Sequence, residues 1–91
     1  MIQTQDRRKI LVARSTVVAE MMERRGIAHV LDGIDTTGFW FAIQSQQMMG
    51  ALIEELFLKW PDVIGVYVEW PKHDRTHLVI RMFPERESVT P

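Results

Sequence analysis

Residues 45–83 read SQQMMGALIEELFLKWPDVIGVYVEWPKHDRTHLVIRMF and hold the clearest structural pattern in the chain. Over 46–60 the apolar residues recur at the three- and four-residue spacing of an amphipathic helix. The predicted core-facing stripe comprises Met49, Ile53, Leu56 and Trp60, with Leu52 and Phe57 on its flanks. Ser45 can cap this helix by accepting a hydrogen bond from a first-turn amide. Pro61 ends it, because a residue that precedes proline is forced out of the helical region.

Beyond Pro61 the apolar period changes from helical spacing to alternation, which is typical of half-buried strands. This change predicts strands over 63–70 and 77–83, joined by the polar turn 71–75. The inward faces would comprise Ile64, Val66, Val68 and Trp70 on the first strand, and Leu78, Ile80 and Met82 on the second. The whole segment therefore predicts a helix followed by an antiparallel hairpin.

The segment 6–25 contains neither glycine nor proline, and its pattern leaves two alternatives open. One is a single long helix capped by Asp6, whose apolar face would include three arginines and so carry the cost of burying guanidinium groups. Those arginines are Arg7, Arg14 and Arg25. The other is a strand over 9–14, buried on both faces, followed by a helix over 16–25 that Ser15 caps. We favour the second alternative because it accounts for the continuous apolar run ILVA within that strand.

Gly26 suits the position just past a helix end, where the backbone adopts a left-handed conformation that glycine tolerates. Beyond it, apolar residues predict strands over 27–32 and 39–43, and the intervening 33–38, rich in Gly, Asp and Thr, is typical of a hairpin turn. The order of elements is thus β-α-β-β-α-β-β, or α-β-β-α-β-β if 9–14 is helical.

Both orders predict an α+β fold of two layers, in which two helices cover one face of a largely antiparallel sheet of four or five strands. The first order is a ferredoxin-like βαββαβ arrangement with an added strand. We expect the 91 residues to form a single domain, with 1–5 and 84–91 as flexible tails.

The composition restricts the classes of protein that the chain can represent. It holds no cysteine, which excludes disulfides and thiol chemistry and suits a reducing compartment. Its formal net charge of −1 creates no overall field that would attract nucleic acid or a membrane surface. No apolar run is long enough to span a bilayer and no signal-peptide pattern opens the sequence, so we expect a cytoplasmic protein without membrane partners.

The segment 37–43, TGFWFAI, partly resembles the RNP1 box of RNA-recognition motifs, in which a basic residue precedes Gly-aromatic-small-aromatic-apolar. The resemblance implies that Phe39 and Phe41 share an exposed sheet face and stack on the bases of single-stranded nucleic acid, with Trp40 on the buried side. Thr37 stands where the box has its basic residue, and Trp40 where it has a small one. Core packing of the same aromatic strand is the competing interpretation, which we prefer.

Basic residues cluster in the second hairpin at Lys72, Arg75 and Arg81, where they could contact phosphate groups. In the same segment His73 and His77 lie four residues apart, the spacing with which a helix presents two metal ligands. Here the pair spans a turn and a strand, and no third ligand accompanies it, so the sequence predicts no metal site. A polar hairpin turn accounts for these residues without any ligand.

Two carboxylates, Asp32 and Asp35, occur at the first hairpin turn. The sequence Asp-Thr-Thr-Gly that begins at Asp35 differs by an insertion from the Asp-Thr-Gly loop of aspartic proteases, and turn geometry accounts for both carboxylates. The chain contains no phosphate-binding glycine loop and no recognisable nucleophile–base arrangement. The sequence therefore predicts a non-enzymatic protein without a cofactor.

A second apolar surface is predicted on the back of the 46–60 helix. Met48, Ala51 and Leu58 lie nearly opposite the core-facing stripe, where a solvated helix carries polar residues. Several apolar residues there indicate contact with another protein, and a small domain gains stability from pairing with a second copy. We therefore expect a protein–protein interaction module that acts as a homo-oligomer. The alternative is single-stranded nucleic-acid binding through the aromatic strand and the basic hairpin, which we do not favour.

Overall fold

The computed structural model describes residues 4–44, 49–69 and 76–84. Its elements are the helices α1 (Thr4–Arg24) and α2 (Met49–Lys59) and the strands β1 (His29–Ile34), β2 (Gly38–Ile43), β3 (Gly65–Glu69) and β4 (Thr76–Arg81). The strands form one sheet in the order β1-β2-β4-β3, and every neighbouring pair is antiparallel. The predicted two-layer α+β fold is therefore confirmed, in its α-β-β-α-β-β order.

Several predicted features lie outside the described residues. They are the tail segments 1–3 and 85–91, the helix cap Ser45, the partner-face residue Met48, the strand residue Trp70, and the turn 71–75 with Lys72, His73 and Arg75. Thr4 and Gln5, which were expected in a tail, belong to α1. Neither helix within the described ranges is long and apolar enough to cross a membrane.

The strand predicted over 9–14 is helical, so the alternative that we favoured for this segment is wrong, and with it the ferredoxin-like order. Only Leu11 of the apolar run ILVA is buried in the core, while Val12 and Ala13 are exposed. Ser15 lies within α1 instead of capping a helix, and its Oγ donates a hydrogen bond to the Val12 carbonyl oxygen at 2.7 Å. A run of four apolar residues is too short for its periodicity to separate a strand from a helix.

The contacts of Arg14 show how the long helix accommodates a cation on its core-facing side. Its guanidinium carbon lies 4.9 Å from the centroid of the Trp60 ring, and Nη1 donates a hydrogen bond to Asp62 Oδ1 at 3.0 Å. The hydrogen bond from Arg14 lowers the pKa of the Asp62 carboxyl. A cation that lies over an aromatic ring and pairs with a carboxylate offsets much of the cost of its partial burial.

The other two arginines of that side also have partners. The guanidinium of Arg7 lies 5.0 Å from the centroid of the Phe83 ring. Arg25 is hydrogen-bonded to the Glu55 carboxylate and donates to the Met21 carbonyl oxygen at 3.2 Å. The guanidinium groups that counted against a long helix are therefore stabilised by residues that are mostly distant in the sequence.

The chain leaves α1 through a glycine turn, as the sequence predicted. Gly26 has a φ of 69°, a left-handed conformation that favours glycine. Its N–H donates to the Glu23 carbonyl oxygen at 3.1 Å, and the N–H of Ile27 donates to the Met22 carbonyl oxygen at 2.9 Å. This pair of bonds is a Schellman motif, and the side chains of Ile27 and Met22 are both buried, as the motif favours.

The core lies between the two helices and one face of the sheet, which we call the inner face. β2 and β4 occupy the centre of the sheet. These strands, with Met82 directly after β4, supply the buried residues of the inner face: Phe39, Phe41, Ile43, Leu78, Ile80 and Met82. The helices cover them with Leu11, Val18, Met21, Met22, Met49, Leu52 and Leu56. The inward residues predicted for β4 are thus confirmed. On β3, Val66 and Val68 pack against the core as predicted, whereas Ile64 is exposed.

Candidate interaction surface

The helix α2 has two apolar sides. On the inner side Met49, Leu52 and Leu56 are buried while Ile53 and Trp60 pack against the core, so the predicted stripe is confirmed. On the opposite side, exposed residues follow one another at three- and four-residue spacing: Gly50, Ala51, Glu54, Phe57 and Leu58. We call these residues the outer face. Only one of them is charged.

The outer face exposes large apolar side chains to solvent. Leu58 retains 76% of its full surface, more than any other large apolar residue in the described ranges, and Phe57 retains 40%. A single exposed leucine is ordinary on a protein surface. Here two large apolar residues adjoin Gly50 and Ala51, and Glu54 is the only charge among them. The outer face therefore lacks the polar residues that typically cover a solvated helix face.

The structure brings together Ala51 and Leu58, which the sequence assigned to a partner surface. Met48, the third residue of that prediction, lies outside the described residues. Sequence reasoning placed Phe57 on the flank of the core and did not include Gly50. The helical spacing could have corrected both assignments, because each residue lies three or four positions from Glu54 or Leu58 and so projects to the same side.

Contacts at the margins of α2 hold the outer face in position. Leu56 is fully buried, and Glu55, on the side of α2 that adjoins α1, is paired with Arg25. The N–H of Trp60 donates to the Leu56 carbonyl oxygen at 2.9 Å, and the N–H of Val63 donates to the Trp60 carbonyl oxygen at 3.0 Å. These contacts fix the C-terminal half of α2 against the rest of the fold.

The second exposed surface is the sheet face opposite the helices, which we call the open face. Gly33, Trp40, Val79 and Tyr67 are successive cross-strand neighbours on it. A Cβ at Gly33 would lie 2.2 Å from Trp40 Cζ2, so the indole ring lies directly against this glycine. The tryptophan thus covers the edge strand β1, and Val79 between the two aromatic residues is buried.

Phe39 and Phe41 lie on the inner face, so the base-stacking role that the RNP1 resemblance implied for them is wrong. Their side chains are 0% and 1% exposed, and their rings form a T-shaped pair with centroids 5.9 Å apart. Their cross-strand partners are Ile80 and Leu78, which the helices cover. Trp40, which was expected on the buried side, is the aromatic residue of β2 on the open face, because side chains alternate along a strand.

Asp35 organises the turn between β1 and β2. Its Oδ1 accepts hydrogen bonds from the backbone N–H groups of Thr37 and Gly38 at 2.7 and 2.9 Å, and from the Thr37 hydroxyl at 2.8 Å. Its Oδ2 accepts a hydrogen bond from Arg81 Nη1 at 3.0 Å. Burial alone would raise the pKa of Asp35, but these hydrogen bonds outweigh it and lower the pKa to about 2. This geometry agrees with the prediction that Asp35 serves the turn.

The basic side chains of β4 are paired within the protein. Arg81 binds Asp35, and although burial acts to lower its pKa, hydrogen bonds to Tyr67 and Asp35 raise it overall. His77 Nε2 lies 2.7 Å from Asp32 Oδ2. Within the described ranges, no three histidine, aspartate or glutamate side chains cluster in a way that could hold a metal ion. Arg81 and His77 therefore have partners within the protein. For Arg81 the sequence had suggested contact with phosphate as a possible role, and for the His73–His77 pair it had predicted no metal site.

Comparisons of the chain with protein-family models, with curated proteins and with solved structures gave no match. The outer face and the open face are therefore the two surfaces considered for function. On the open face the Trp40 indole covers Gly33, Arg81 is paired with Asp35 and His77 contacts Asp32, while Val30 and Tyr67 are exposed. On the outer face Leu58 is exposed and does not pack against the core.

Proposed function

We propose that the protein is a small, non-enzymatic protein–protein interaction module that self-associates through the outer face of α2. The observation that carries the proposal is the 76% exposure of Leu58 beside Phe57 and Ala51, on the side of a helix that the core does not use. Exposed apolar surface of this kind is typical of contact surfaces between proteins.

Burial of Leu58 and Phe57 against a partner supplies the driving force. Full burial of one such side chain contributes about 1.5–3 kcal/mol, and these two begin largely or partly exposed. In a pair of identical copies each residue contributes twice. Association costs translational and rotational freedom, and that loss cancels a large part of the gain. The balance favours a reversible complex over a permanent one.

The size of the outer face sets the expected affinity. α2 contains 11 residues. A helix of that length is about 16 Å long, so one of its faces offers on the order of 300 Å², against roughly 800 Å² per partner in a standard stable interface. We therefore expect dissociation constants in the micromolar range or weaker, and association that depends on protein concentration.

Substitution of Leu58 by glutamate should weaken self-association. The change removes the largest exposed apolar contact and adds a second carboxylate beside Glu54, so we expect binding to weaken at least tenfold, or by about 1.4 kcal/mol. Sedimentation velocity from micromolar to millimolar protein measures this effect. The wild-type sedimentation coefficient should rise with concentration, and that of Leu58→Glu should rise only at concentrations at least tenfold higher.

Val12→Glu is the matched control, because Val12 is an apolar residue of α1 that is 44% exposed and lies outside the outer face. This variant should associate as the wild type does. A wild-type protein that remains monomeric over the whole concentration range would contradict the proposal. So would a Leu58→Glu variant that associates as strongly as the wild type.

A further inference from the structure

The outer face has an internal symmetry about its single charged residue, Glu54. Leu58 and Gly50 lie four residues to either side of it, and Phe57 and Ala51 lie three residues to either side. The two residues on the N-terminal side are small and the two on the C-terminal side are large. A surface with this arrangement is complementary in shape to a copy of itself that runs in the opposite direction.

Gly50 supplies independent support, because no described residue of the same chain requires a glycine at this position. A Cβ placed there would meet no atom of residues 4–44, 49–69 or 76–84 within 4 Å. Unlike Gly26, Gly50 does not have a positive φ. Glycine is among the least favourable residues for a helix, and alanine would stabilise α2 without steric conflict. The absence of a side chain is useful, however, if another molecule approaches the backbone closely at this point.

From these features we infer that two copies pair through their α2 helices, antiparallel and about a two-fold axis that passes beside Glu54. This inference rests on the proposed function and specifies its partner as a second copy in one orientation. Leu58 of each protomer contacts Gly50 of the other, and Phe57 contacts Ala51. Each large side chain thus meets a small one, which lets the helices approach closely and bury both apolar pairs.

The two Glu54 carboxylates lie on either side of the axis in this arrangement and repel each other. At about 4 Å in water such a repulsion weakens association by a factor of roughly five. Burial of each Leu58 strengthens association by about tenfold or more, and there are two of them. The pairing is therefore favourable in spite of the repulsion. Together with the limited area of the outer face, the repulsion keeps the dimer weak and reversible.

Exchange of the small residue at position 50 with the large residue at position 58 tests the antiparallel orientation of the two α2 helices. Gly50→Leu should weaken dimerisation at least tenfold, because the new side chain overlaps Leu58 of the other protomer. Leu58→Ala should weaken it by a similar factor through loss of the contact. The double variant, Gly50→Leu with Leu58→Ala, restores a large residue opposite a small one, and its dissociation constant should return to within about threefold of the wild type. Sedimentation equilibrium measures all four proteins.

Two controls separate this effect from damage to the fold. Glu20→Leu adds an exposed leucine to α1 and should dimerise as the wild type does. Thermal unfolding of Gly50→Leu at a concentration where the wild type is monomeric should occur at or above the wild-type temperature, because leucine favours a helix more than glycine does. Lost dimerisation without lost stability then locates the effect in the contact between protomers.

The outcomes distinguish this inference from the proposed function. In every case the first requirement is that the wild type dimerises and that Leu58→Glu dimerises at least tenfold more weakly. If the double variant is then restored, both the proposed function and this inference stand. If the double variant stays as weak as Gly50→Leu, the proposed function stands and the antiparallel arrangement is overturned, since parallel helices would place each residue opposite its own copy. A wild type that is monomeric at millimolar concentration overturns both.

Discussion

At the scale of single residues, Asp35 and Gly33 make contacts that stabilise the open face of the sheet. One carboxylate joins the turn between β1 and β2 to Arg81 on β4, and one missing Cβ makes room for the Trp40 indole. Substitution of either residue should lower the stability of the fold. At position 35 a carboxylate is needed to accept the hydrogen bonds of the turn and of Arg81, and at position 33 a side chain would overlap the Trp40 indole. These constraints serve the fold and leave the open face with few unsatisfied groups.

Asp35→Asn should destabilise the protein by about 1 kcal/mol at neutral pH, since it removes the charge that pairs with Arg81. The wild-type carboxylate has a pKa of about 2 when folded, below its ordinary value of 3.8, so its stabilisation is present above that value and is lost as the pH falls towards 2. The side chain is 43% exposed, so solvent screening keeps the effect small. Urea denaturation at several pH values measures it.

The wild type should lose stability more steeply than Asp35→Asn between pH 4 and pH 2. Thr36→Ala is a suitable control, because Thr36 is exposed in the same turn and is not part of this hydrogen-bond network. It should behave as the wild type does at every pH. Parallel curves for the wild type and Asp35→Asn would show that the carboxylate does not contribute in the way described.

The aromatic strand illustrates how far sequence reasoning reaches at this scale. Alternation correctly placed Phe39 and Phe41 on one face and Trp40 on the other. It could not say which face the helices cover, because two sets of alternating apolar residues are equivalent until the partner strands are known. The resemblance to RNP1 therefore assigned the exposed face to the wrong pair of residues.

At the scale of elements, α1 is the helix that the sequence described least well. The patterns for α2, β2 and β4 were recognisable because apolar residues recur in each with the regular spacing of a helix or a strand. In α1 the arginines interrupt the apolar face, and their partners Phe83, Trp60 and Glu55 lie far along the chain. Local sequence patterns hold no information about such contacts. Residues 9–14 therefore form part of a helix, although their short apolar run alone is compatible with a strand.

The burial pattern of α1 predicts unequal costs for two neighbouring truncations. Leu11→Ala should destabilise the protein by about 2–5 kcal/mol, because Leu11 is fully buried and its truncation leaves a cavity. Val12→Ala should cost less than about 0.5 kcal/mol, because Val12 is 44% exposed. Urea denaturation of both variants measures the difference. Similar large costs at the two positions would indicate a strand buried on both faces and would contradict the helix.

At the scale of the whole molecule, two layers leave one sheet face and the backs of both helices without a covering layer. One sheet face is exposed by the topology itself, and the back of α2 is exposed because only one side of a helix can meet the core. The sequence predicted the layers, most of the core and two residues of the outer face, Ala51 and Leu58. It did not identify the pairing of small and large residues about Glu54, whose significance appears only when the exposed side of α2 is known.

The most direct test of self-association through the outer face is disulfide cross-linking at Glu54. The chain has no cysteine, so Glu54→Cys introduces a single thiol, and a two-fold axis beside that position brings the two thiols of a dimer within bonding reach. Mild oxidation followed by non-reducing electrophoresis should give a covalent dimer from Glu54→Cys and only monomer from Glu20→Cys, whose thiol lies on α1. Failure of Glu54→Cys to cross-link, or equal yields from the two variants, would contradict the account.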